Sequence, residues 1–493
     1  MPAARPLVLV FVVDGLRPDS ITAEDTPTLF RLRAEGVDLV NGHAVFPTVT
    51  RVNAAAIATG TQPGTNGLVG NQMFVPAVDE RRAFDTGNHR NFLALDRASD
   101  GRVLEVPTLA ERLHARGLVL AGVSSGSTGS AFLLNPRAPA GVGALVNGYL
   151  DPGHTVAYPA GVSESILSRL GPAPVKAPGG GRFDAQVNWT QRVLREYVLP
   201  ELGPAVVINW LTEPDHSQHH VGVGSPSARE AIRNDDREIA RVLATLDALG
   251  LTPATSVLVV SDHGFTTNTA GVDVAGALVA ARLKAAPDST DVILASSGQA
   301  VAIHVEGHDA ERIARLARFI QAQDWGGVVF AAGPVEGAFP LELINVANRD
   351  RSPDLLFTFP WTSRRNAFGV PGTDWANVSA GGAPYASDHG SMSPWNVRNT
   401  FLAWGAGVKK GVTVRAPAGN VDVTPTALAL LGLDGEAGLD GRVVTEALEG
   451  GPDPEQVAVE TRVHTAAAGA YRAALQISTV DGRRYVDKSW RVS

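Results

Sequence analysis

The run Pro6-Leu-Val-Leu-Val-Phe-Val-Val13, followed at once by Asp14-Gly15, decides the fold class of this chain. Its residues are continuously apolar and rich in β-branched side chains, a pattern typical of a strand buried on both faces of a parallel sheet. Such a strand delivers the residue at its carboxyl end to the sheet edge where α/β proteins gather their ligand sites. The pattern therefore predicts a central strand that ends at Asp14.

Further apolar runs alternate with helical patterns along the chain. Strand-like runs are predicted at residues 119–123, 206–210, 256–260 and 400–404, and amphipathic helices at residues 108–116 and 227–249. This alternation is typical of an α/β protein in which helices flank a largely parallel central sheet.

A second α/β stretch interrupts this pattern. Residues 266–350 contain strand-like runs at 301–305 and 328–331 around a helical pattern at 310–322, and we interpret them as an inserted α/β cap subdomain. The core would then comprise residues 1–265 and 351–450. Residues 451–493 are predicted to form a C-terminal β-hairpin extension, because Asp481-Gly482 separates two strand-like runs.

The composition limits the partners that the chain can have. With 42 Lys and Arg against 50 Asp and Glu, the formal net charge is -8, which does not favour a nucleic-acid polymer or a membrane surface. The chain has no Cys, so any metal ion must be held by His and carboxylate side chains. The first apolar run is too short for a signal peptide or a membrane span. We expect a cytoplasmic chain as it stands, or an exported one whose signal has been removed, and the oligomeric state is not encoded in any pattern.

Carboxylates and histidines recur directly after the predicted strands or in loops that could reach them. Because the ends of strands that are far apart in sequence converge in space, such residues can form one metal site, and only three of the 12 His are needed for it. The segments concerned are Asp14-Gly15, Glu213-Pro214-Asp215 with His219, Asp262-His263-Gly264, and Asp388-His389-Gly390.

A further segment, residues 46–60, contains a polar turn that opens a helix of small residues. The first N–H groups and the dipole of such a helix are available to an anion and to an ionised hydroxyl. Either Thr48 or Thr50 could supply that hydroxyl, and the local chemistry does not choose between them.

Together these motifs resemble the nucleotide pyrophosphatase/phosphodiesterase family of the alkaline phosphatase superfamily, from Asp14 to about Leu433. That family has a Thr-(two residues)-Asn step ahead of a Thr-Gly pair, a Glu-Pro-Asp-(three residues)-His segment, an Asp-His-Gly segment and a late His-Gly segment. The matching residues here are Thr50 with Asn53 and Thr59-Gly60, Glu213 to His219, Asp262 to Gly264, and His389-Gly390. The resemblance implies an alkaline phosphatase-like fold and selects Thr50 over Thr48 as the nucleophile.

The resemblance also implies two zinc ions and a set of site residues. Asn53 would hydrogen-bond a nonbridging phosphoryl oxygen, whereas His216 and His220 are expected to be neighbours of the site rather than ligands. One zinc would be held by Asp215, His219 and His389, and the other by Asp14, Asp262 and His263 with the oxygen of Thr50.

The activity that the resemblance implies is hydrolysis of phosphate esters through a phosphothreonine, with diesters such as nucleotides as the expected small-molecule substrates. Two enzymatic alternatives stay open, a phosphate monoesterase of the alkaline phosphatase type and an enzyme similar to phosphonoacetate hydrolases. A third alternative, an inactive metal-binding member of the superfamily, predicts the loss of a ligand or of the nucleophile, and no loss is visible. One departure bears on the substrate, because the family's aromatic-Pro pair after the nucleophile is replaced by Arg51-Val52.

Overall fold

A nine-stranded mixed sheet forms the centre of the molecule in the computed structural model, which describes residues 5–149, 157–175, 181–433, 435 and 437–492. From one edge to the other, its strands are Val412–Val414, Val37–Leu39, Phe401–Gly405, Thr255–Val260, Leu7–Val13, Val206–Leu211, Leu120–Ser124, Ala144–Asn147 and Ala157–Tyr158. The five strands from Thr255–Val260 to Ala144–Asn147 are parallel, and Phe401–Gly405 and Ala157–Tyr158 are antiparallel to their inner neighbours. The predicted α/β class with a largely parallel centre is confirmed.

The strand Leu7–Val13 is the middle of this sheet, and all of its side chains are buried. Val8, Val10 and Val12 pack into one apolar cluster, whereas Leu9 and Phe11 pack into a second cluster on the opposite face. Side chains alternate between the two faces of a strand, so a sheet covered on both sides requires a continuous apolar run. Each such fully buried side chain contributes roughly 1.5 to 3 kcal/mol to the free energy of unfolding.

Helices cover both faces of the sheet. The helical patterns predicted at 108–116 and 227–249 correspond to Leu109–His114 and Pro226–Ala248. None of the helices in the described part of the chain is both long and apolar enough to cross a membrane. The remaining helices are Pro27–Glu35, Thr50–Thr59, Pro63–Asn66, His89–Ala98, Thr128–Leu134, Ala160–Leu170, Asp184–Val193, the π-helix Leu194–Leu202, Asp215–Val221, Val274–Ala280, Ala310–Ala322, Pro394–Val397 and Val423–Leu430.

The stretch interpreted as a cap contains a five-stranded sheet with the helix Ala310–Ala322 packed on it. Its strands, in spatial order, are Val292–Ser297, Ala300–Val305, Leu355–Thr358, Val329–Ala331 and Phe339–Pro340. The strand Leu355–Thr358 comes from beyond residue 350, so this sheet extends past the predicted boundary. The division of the chain into domains stays a prediction.

Four smaller sheets, including the C-terminal sheet described below, complete the described part of the fold. One consists of Thr362–Arg365, Pro371–Asn377, Thr266–Val272 and Ser387–Asp388, and two short pairs join Gly42–His43 to Ala418–Gly419 and Gln72–Met73 to Phe84–Asp85.

The C-terminal sheet has three antiparallel strands, Glu460–Ala468, Tyr471–Val480 and Arg483–Arg491. The last two strands are the ones predicted on either side of Asp481-Gly482, and Glu460–Ala468 adds a third. Buried polar contacts attach this sheet to the rest of the chain, because the Tyr485 hydroxyl donates to the Asp422 carboxylate at 2.8 Å and accepts from Arg442 Nε at 3.2 Å.

Two adjacent aspartates on the helix Pro226–Ala248 have opposite environments. Asp236 accepts hydrogen bonds from the backbone N–H groups of Thr28 and Leu29, at 3.0 and 2.8 Å, and so caps the helix Pro27–Glu35. Asp235 is only 1% exposed, and neither of its carboxyl oxygens has a hydrogen-bond partner in the part of the chain that the structure describes. Burial, followed by the charges of Glu213 and Asp184, raises the pKa of Asp235 well above its ordinary value of 3.8.

We expect Asp235→Asn to stabilise the protein and Asp236→Asn to destabilise it. In the unfolded chain the carboxyl of Asp235 ionises above pH 3.8, whereas in the folded protein it stays protonated to a higher pH. Asp235 therefore does not destabilise the protein below pH 3.8, and its destabilising effect grows as the pH rises. At pH 8, Asp235→Asn should raise the free energy of unfolding by about 1 to 2 kcal/mol. Asp236→Asn, which removes a capping oxygen, should lower it by about 1 kcal/mol. Urea unfolding of both variants at pH 4.5 and pH 8 measures these differences, and a D235N protein less stable than wild type at pH 8 would contradict the expectation.

Candidate metal centre and nucleophile

Three neighbouring parallel strands deliver acidic and imidazole side chains to one edge of the central sheet. Asp14 follows Leu7–Val13, Asp215 follows Val206–Leu211 after a short turn, and Asp262-His263 follows Thr255–Val260. These strands are adjacent and point the same way, so their carboxyl ends meet.

Two histidines from other elements complete the cluster. His219 lies one turn after Asp215 on the helix Asp215–Val221, where residues four apart share a face. His389 directly follows the short strand Ser387–Asp388 of the four-stranded sheet. All six predicted metal ligands are therefore brought together.

The six side chains form two overlapping groups around Asp215. Asp215 Oδ1 lies 3.4 Å from His219 Nε2 and 3.4 Å from His389 Nε2. In the second group, His263 Nε2 lies 3.1 Å from Asp262 Oδ2, 3.6 Å from Asp14 Oδ1 and 3.9 Å from Asp215 Oδ1. Two sets of three side chains are each close enough to bind one ion, because one ligand atom of every member lies within 4.8 Å of those of the other two. The sets are Asp215, His219 and His389, and Asp14, Asp215 and His263.

Each histidine is oriented by a backbone carbonyl. In each case the Nδ1–H group can donate to a backbone carbonyl oxygen 3.0 Å away. His219 donates to Ser387, His389 to Thr48 and His263 to Gly264. This hydrogen bond fixes the tautomer in which Nε2 carries a lone pair, and it is the arrangement typical of metal-ligating histidines. All three Nε2 atoms point into the cluster.

Two of the carboxylates, those of Asp14 and Asp262, are held through one oxygen each. Trp210 Nε1 donates to Asp14 Oδ2 at 2.9 Å, and the backbone N–H of Gly15 donates to Asp262 Oδ1 at 3.0 Å. Asp14 Oδ1, Asp215 Oδ1 and Asp262 Oδ2 are buried and have no hydrogen-bond partner among the described residues. Buried anionic oxygens without a donor are costly unless they bind a cation, so this donor set fits divalent metal ions.

The ionisation of the cluster points the same way. Burial, reinforced by the charges of Asp262 and Asp215, raises the pKa of Asp14 well above its ordinary value. Burial opposes protonation of His219, but the negative charges of Asp215 and Asp388 outweigh it and raise the pKa of His219 to about 9. Carboxylates crowded together away from water, with imidazoles facing them, form a donor set that a divalent cation stabilises, and oxygen with imidazole ligands suits zinc.

Of the two candidate threonines, only Thr50 faces the cluster. Its Oγ1 lies 3.3 Å from His263 Nε2, in the first turn of the helix Thr50–Thr59. Thr48 is fully buried, and its hydroxyl donates to the carbonyl of Ser391 at 2.8 Å and accepts from the N–H of Gly390 at 3.2 Å. The hydroxyl of Thr48 is therefore occupied in holding the loop that carries His389.

Asn53 does not reach the cleft. Its amide oxygen accepts from the N–H of Val45 at 2.8 Å and from Asn420 Nδ2 at 2.9 Å, and its amide nitrogen donates to the carbonyls of Val45 and Val49, both at 3.1 Å. The side chain is fully buried because the helix turns this face towards the loop before Thr50. Its contacts are those of a structural residue, and they do not support the role expected for it.

Asn71, which the sequence patterns did not single out, lines the cleft beside Thr50. Its amide oxygen accepts from the backbone N–H of Arg51 at 3.2 Å, and its NH2 group makes no hydrogen bond within the described residues. The amide is thus oriented to donate towards a ligand. In sequence Asn71 stands in a turn after Gly70, with no acidic or imidazole neighbour to mark it.

The cluster lies at the bottom of an open cavity of about 690 Å³. Its lining includes the side chains of Arg51, Asn71, Gln72 and Asp85 and the rings of Tyr149, His216, His220 and Tyr385. The rings of His220 and Tyr385 are stacked, with centroids 5.6 Å apart. His216 and His220 are therefore neighbours of the cluster, as expected, and lie in neither of its two groups.

A central α/β sheet with an acidic and imidazole cluster and a threonine hydroxyl at its carboxyl edge defines the class as α/β proteins of the alkaline phosphatase-like fold with a candidate metal centre. Comparison with known proteins agrees. The family model of type I phosphodiesterase / nucleotide pyrophosphatase matches residues 8–362. The chain belongs to this family, whose members are metal-dependent hydrolases.

Curated relatives and solved structures give the degree of similarity. Ectonucleotide pyrophosphatase/phosphodiesterase family member 1 of Mus musculus is 23% identical over 261 residues, which are 52% of this chain but only 24% of that protein. Venom phosphodiesterase of Naja atra is 33% identical over 88 residues, 17% of this chain and 10% of that protein. The matched stretches thus span a quarter or less of these two relatives.

The solved structures match over most of the chain. Murine ectonucleotide pyrophosphatase/phosphodiesterase 5, in an inactive form in complex with AMP, superposes with a TM-score of 0.60 at 18% identity, covering 88% of this chain and 96% of that one. The human counterpart has a TM-score of 0.63 at 16% identity and covers 90% and 100%. At this identity the likeness establishes the fold.

Proposed function

We propose that this chain is a two-zinc phosphodiesterase/nucleotide pyrophosphatase that hydrolyses phosphate esters through a phosphothreonine on Thr50. The observation that carries the proposal is the position of the Thr50 hydroxyl, 3.3 Å from His263 Nε2. The cluster around it has three buried carboxylate oxygens to which no described residue donates a hydrogen bond. The AMP in the murine structure and the names of the curated relatives support a nucleotide or related diester as the substrate.

The residues that would hold the two ions are those predicted. Asp215, His219 and His389 would hold one zinc, and Asp14, Asp262 and His263 would hold the other together with the Thr50 oxygen. When bound, the ions supply positive charge that acidifies the threonine hydroxyl and offsets the charge of the phosphoryl group.

The chain's own groups position the reaction. The N-terminus of the helix Thr50–Thr59 stabilises negative charge on the Thr50 oxygen and on the phosphoryl group beside it. The free NH2 of Asn71 donates to a nonbridging phosphoryl oxygen, the role first expected of Asn53. The Thr50 oxygen bonds to phosphorus while the ester bond to the leaving group breaks, and water then cleaves the phosphothreonine.

Chromogenic esters test the substrate class directly. Zinc-loaded protein is assayed on bis(p-nitrophenyl) phosphate and on p-nitrophenyl phosphate, and the bound metal is quantified in the same sample. We expect kcat/KM for the diester to exceed that for the monoester by about tenfold or more, with about two divalent ions per chain. Preference for the monoester would favour the monoesterase alternative, and full activity with far fewer than two ions would exclude the two-metal site.

Alanine variants of Asn71 and Asn53 distinguish a side chain that contacts the substrate from one that supports the fold. Asn71→Ala should lower kcat/KM on the diester by about 10- to 1,000-fold with little change in stability, because it removes a donor to the phosphoryl oxygen. Asn53→Ala should instead lower the free energy of unfolding by about 2 kcal/mol or more, since it leaves buried backbone groups unpaired. Kinetics and urea unfolding on both variants measure this contrast, and the reverse assignment of the two effects would return the phosphoryl contact to Asn53.

A further inference from the structure

Arg51 follows the proposed nucleophile and lies in the wall of the cleft. Among the described residues that line this cavity, it is the one Arg or Lys side chain. The side chain is 19% exposed, so its charge is partly shielded from water. A cation in this position acts on any anionic part of a ligand that occupies the cleft.

The guanidinium of Arg51 is weakly engaged by the protein. Arg51 Nε is buried and finds no hydrogen-bond partner in the described ranges of the chain, and Nη2 lies 3.5 Å from Asp85 Oδ1. Asp85 is 60% exposed, and its Oδ1 already accepts from the N–H of Gly87 at 2.8 Å. Because exposed, long ion pairs contribute little, a ligand anion can replace Asp85 as the partner at small cost.

The groups beside Arg51 also present donors. The amide oxygens of Asn71 and Gln72 accept from the backbone N–H groups of Arg51 and Ser296, at 3.2 and 3.0 Å. The NH2 group of Asn71 is the donor assigned above to the attacked phosphoryl group, whereas the NH2 group of Gln72 makes no hydrogen bond within the described residues and remains available to a second anion. Planar guanidinium and amide donors side by side suit a phosphate or carboxylate, each of which accepts several hydrogen bonds.

We propose that Arg51 binds a second anionic group of the substrate, separate from the phosphoryl group that Thr50 attacks. The preferred substrate then carries an additional phosphate or carboxylate on the Arg51 side of the cleft, and Asp85 competes with that group for the guanidinium. This inference rests on the proposed function, because it takes the cluster beside Thr50 as the place where the first phosphoryl group binds.

Three small anions test the proposal on zinc-loaded protein. Methylphosphonate carries one anionic group, whereas methylenediphosphonate and phosphonoacetate carry a second phosphonate or a carboxylate. Their Kd values are measured by calorimetry and their inhibition constants against bis(p-nitrophenyl) phosphate, with zinc content determined after each titration. The variants are Arg51→Gln, Arg51→Lys and Asp85→Asn, with Arg82→Gln as the control, since Arg82 is 83% exposed and pairs with Asp79 outside the cleft.

We expect R51Q to weaken at least one of the two doubly anionic ligands by about 10- to 100-fold, and methylphosphonate by less than about threefold. R51K should fall in between, since it keeps the charge but loses the planar fork. D85N should tighten the same ligand by about twofold or more, because the competing carboxylate is gone. R82Q should bind all three anions as wild type does. The second group is a phosphate if R51Q weakens methylenediphosphonate more, and a carboxylate if it weakens phosphonoacetate more.

Other outcomes overturn the proposal. Equal weakening of all three anions by R51Q would place Arg51 on the attacked phosphoryl group, and unchanged affinities would remove it from the ligand altogether. Weaker binding in D85N would show that Asp85 positions Arg51 rather than competing for it. Failure of the proposed function has a different signature, namely a wild-type protein that turns over no ester while calorimetry still reports the Arg51-dependent difference.

Discussion

Replacement of Thr50 by alanine should lower hydrolysis of a phosphate diester by about 1,000-fold or more, because the variant lacks the oxygen that forms the covalent intermediate. The folded protein should be little affected, since within the described part of the chain the hydroxyl makes a single hydrogen bond, at 3.3 Å to His263 Nε2. Steady-state kinetics measures the loss. Acid quenching during turnover should trap phosphate on Thr50 of the wild type and none on the variant.

Thr48→Ala is the matched control for this variant. The two threonines are two residues apart, but the hydroxyl of Thr48 bonds to the backbone of Ser391 and Gly390. Its removal should lower the free energy of unfolding by about 1 to 3 kcal/mol, with a loss of activity far smaller than that of T50A. A T50A protein that keeps more than a tenth of wild-type activity would exclude Thr50 as the nucleophile.

The contrast between Thr48 and Thr50 also marks how far the sequence could predict the site. Either threonine could cap or open the helix, and the local residues gave no reason to choose. The contact that occupies Thr48 comes from Ser391, which is 343 residues away in sequence. Resemblance to a family selected Thr50 and Asn53, but spacing on a helix does not reveal that backbone groups of the surrounding loop saturate the amide of Asn53.

The fold was predictable where burial leaves a pattern. The run that forms Leu7–Val13 is apolar throughout because both faces are covered, and that pattern is independent of tertiary detail. Strand direction has no such pattern, so the antiparallel placement of Phe401–Gly405 could not be derived. Glu460–Ala468 was missed for another reason, since most of its side chains are exposed and backbone pairing with Tyr471–Val480 holds it in the sheet.

Asp215 joins the two ligand groups, so its loss should affect both. Asp215 Oδ1 lies within 4 Å of the Nε2 atoms of His219, His389 and His263. Asp215→Asn removes the anionic oxygen from the middle of the cluster and should reduce bound zinc from about two ions per chain to less than one, with diester hydrolysis lowered by about 1,000-fold or more. Elemental analysis after dialysis and kinetics on the same sample measure both effects.

A variant of one ligand group alone sharpens this test. His219→Gln should lose one ion and keep the other, because His219 lies in one group, with Asp215 and His389, and outside the other. Zinc that binds only the folded state stabilises it by about 2.7 kcal/mol at a hundredfold excess over Kd. Added zinc should therefore raise the Tm of wild type most, of H219Q less and of D215N least. If D215N retained two ions and the full zinc-dependent increase in Tm, the two sites would not share this carboxylate, and the cluster would have to be assigned differently.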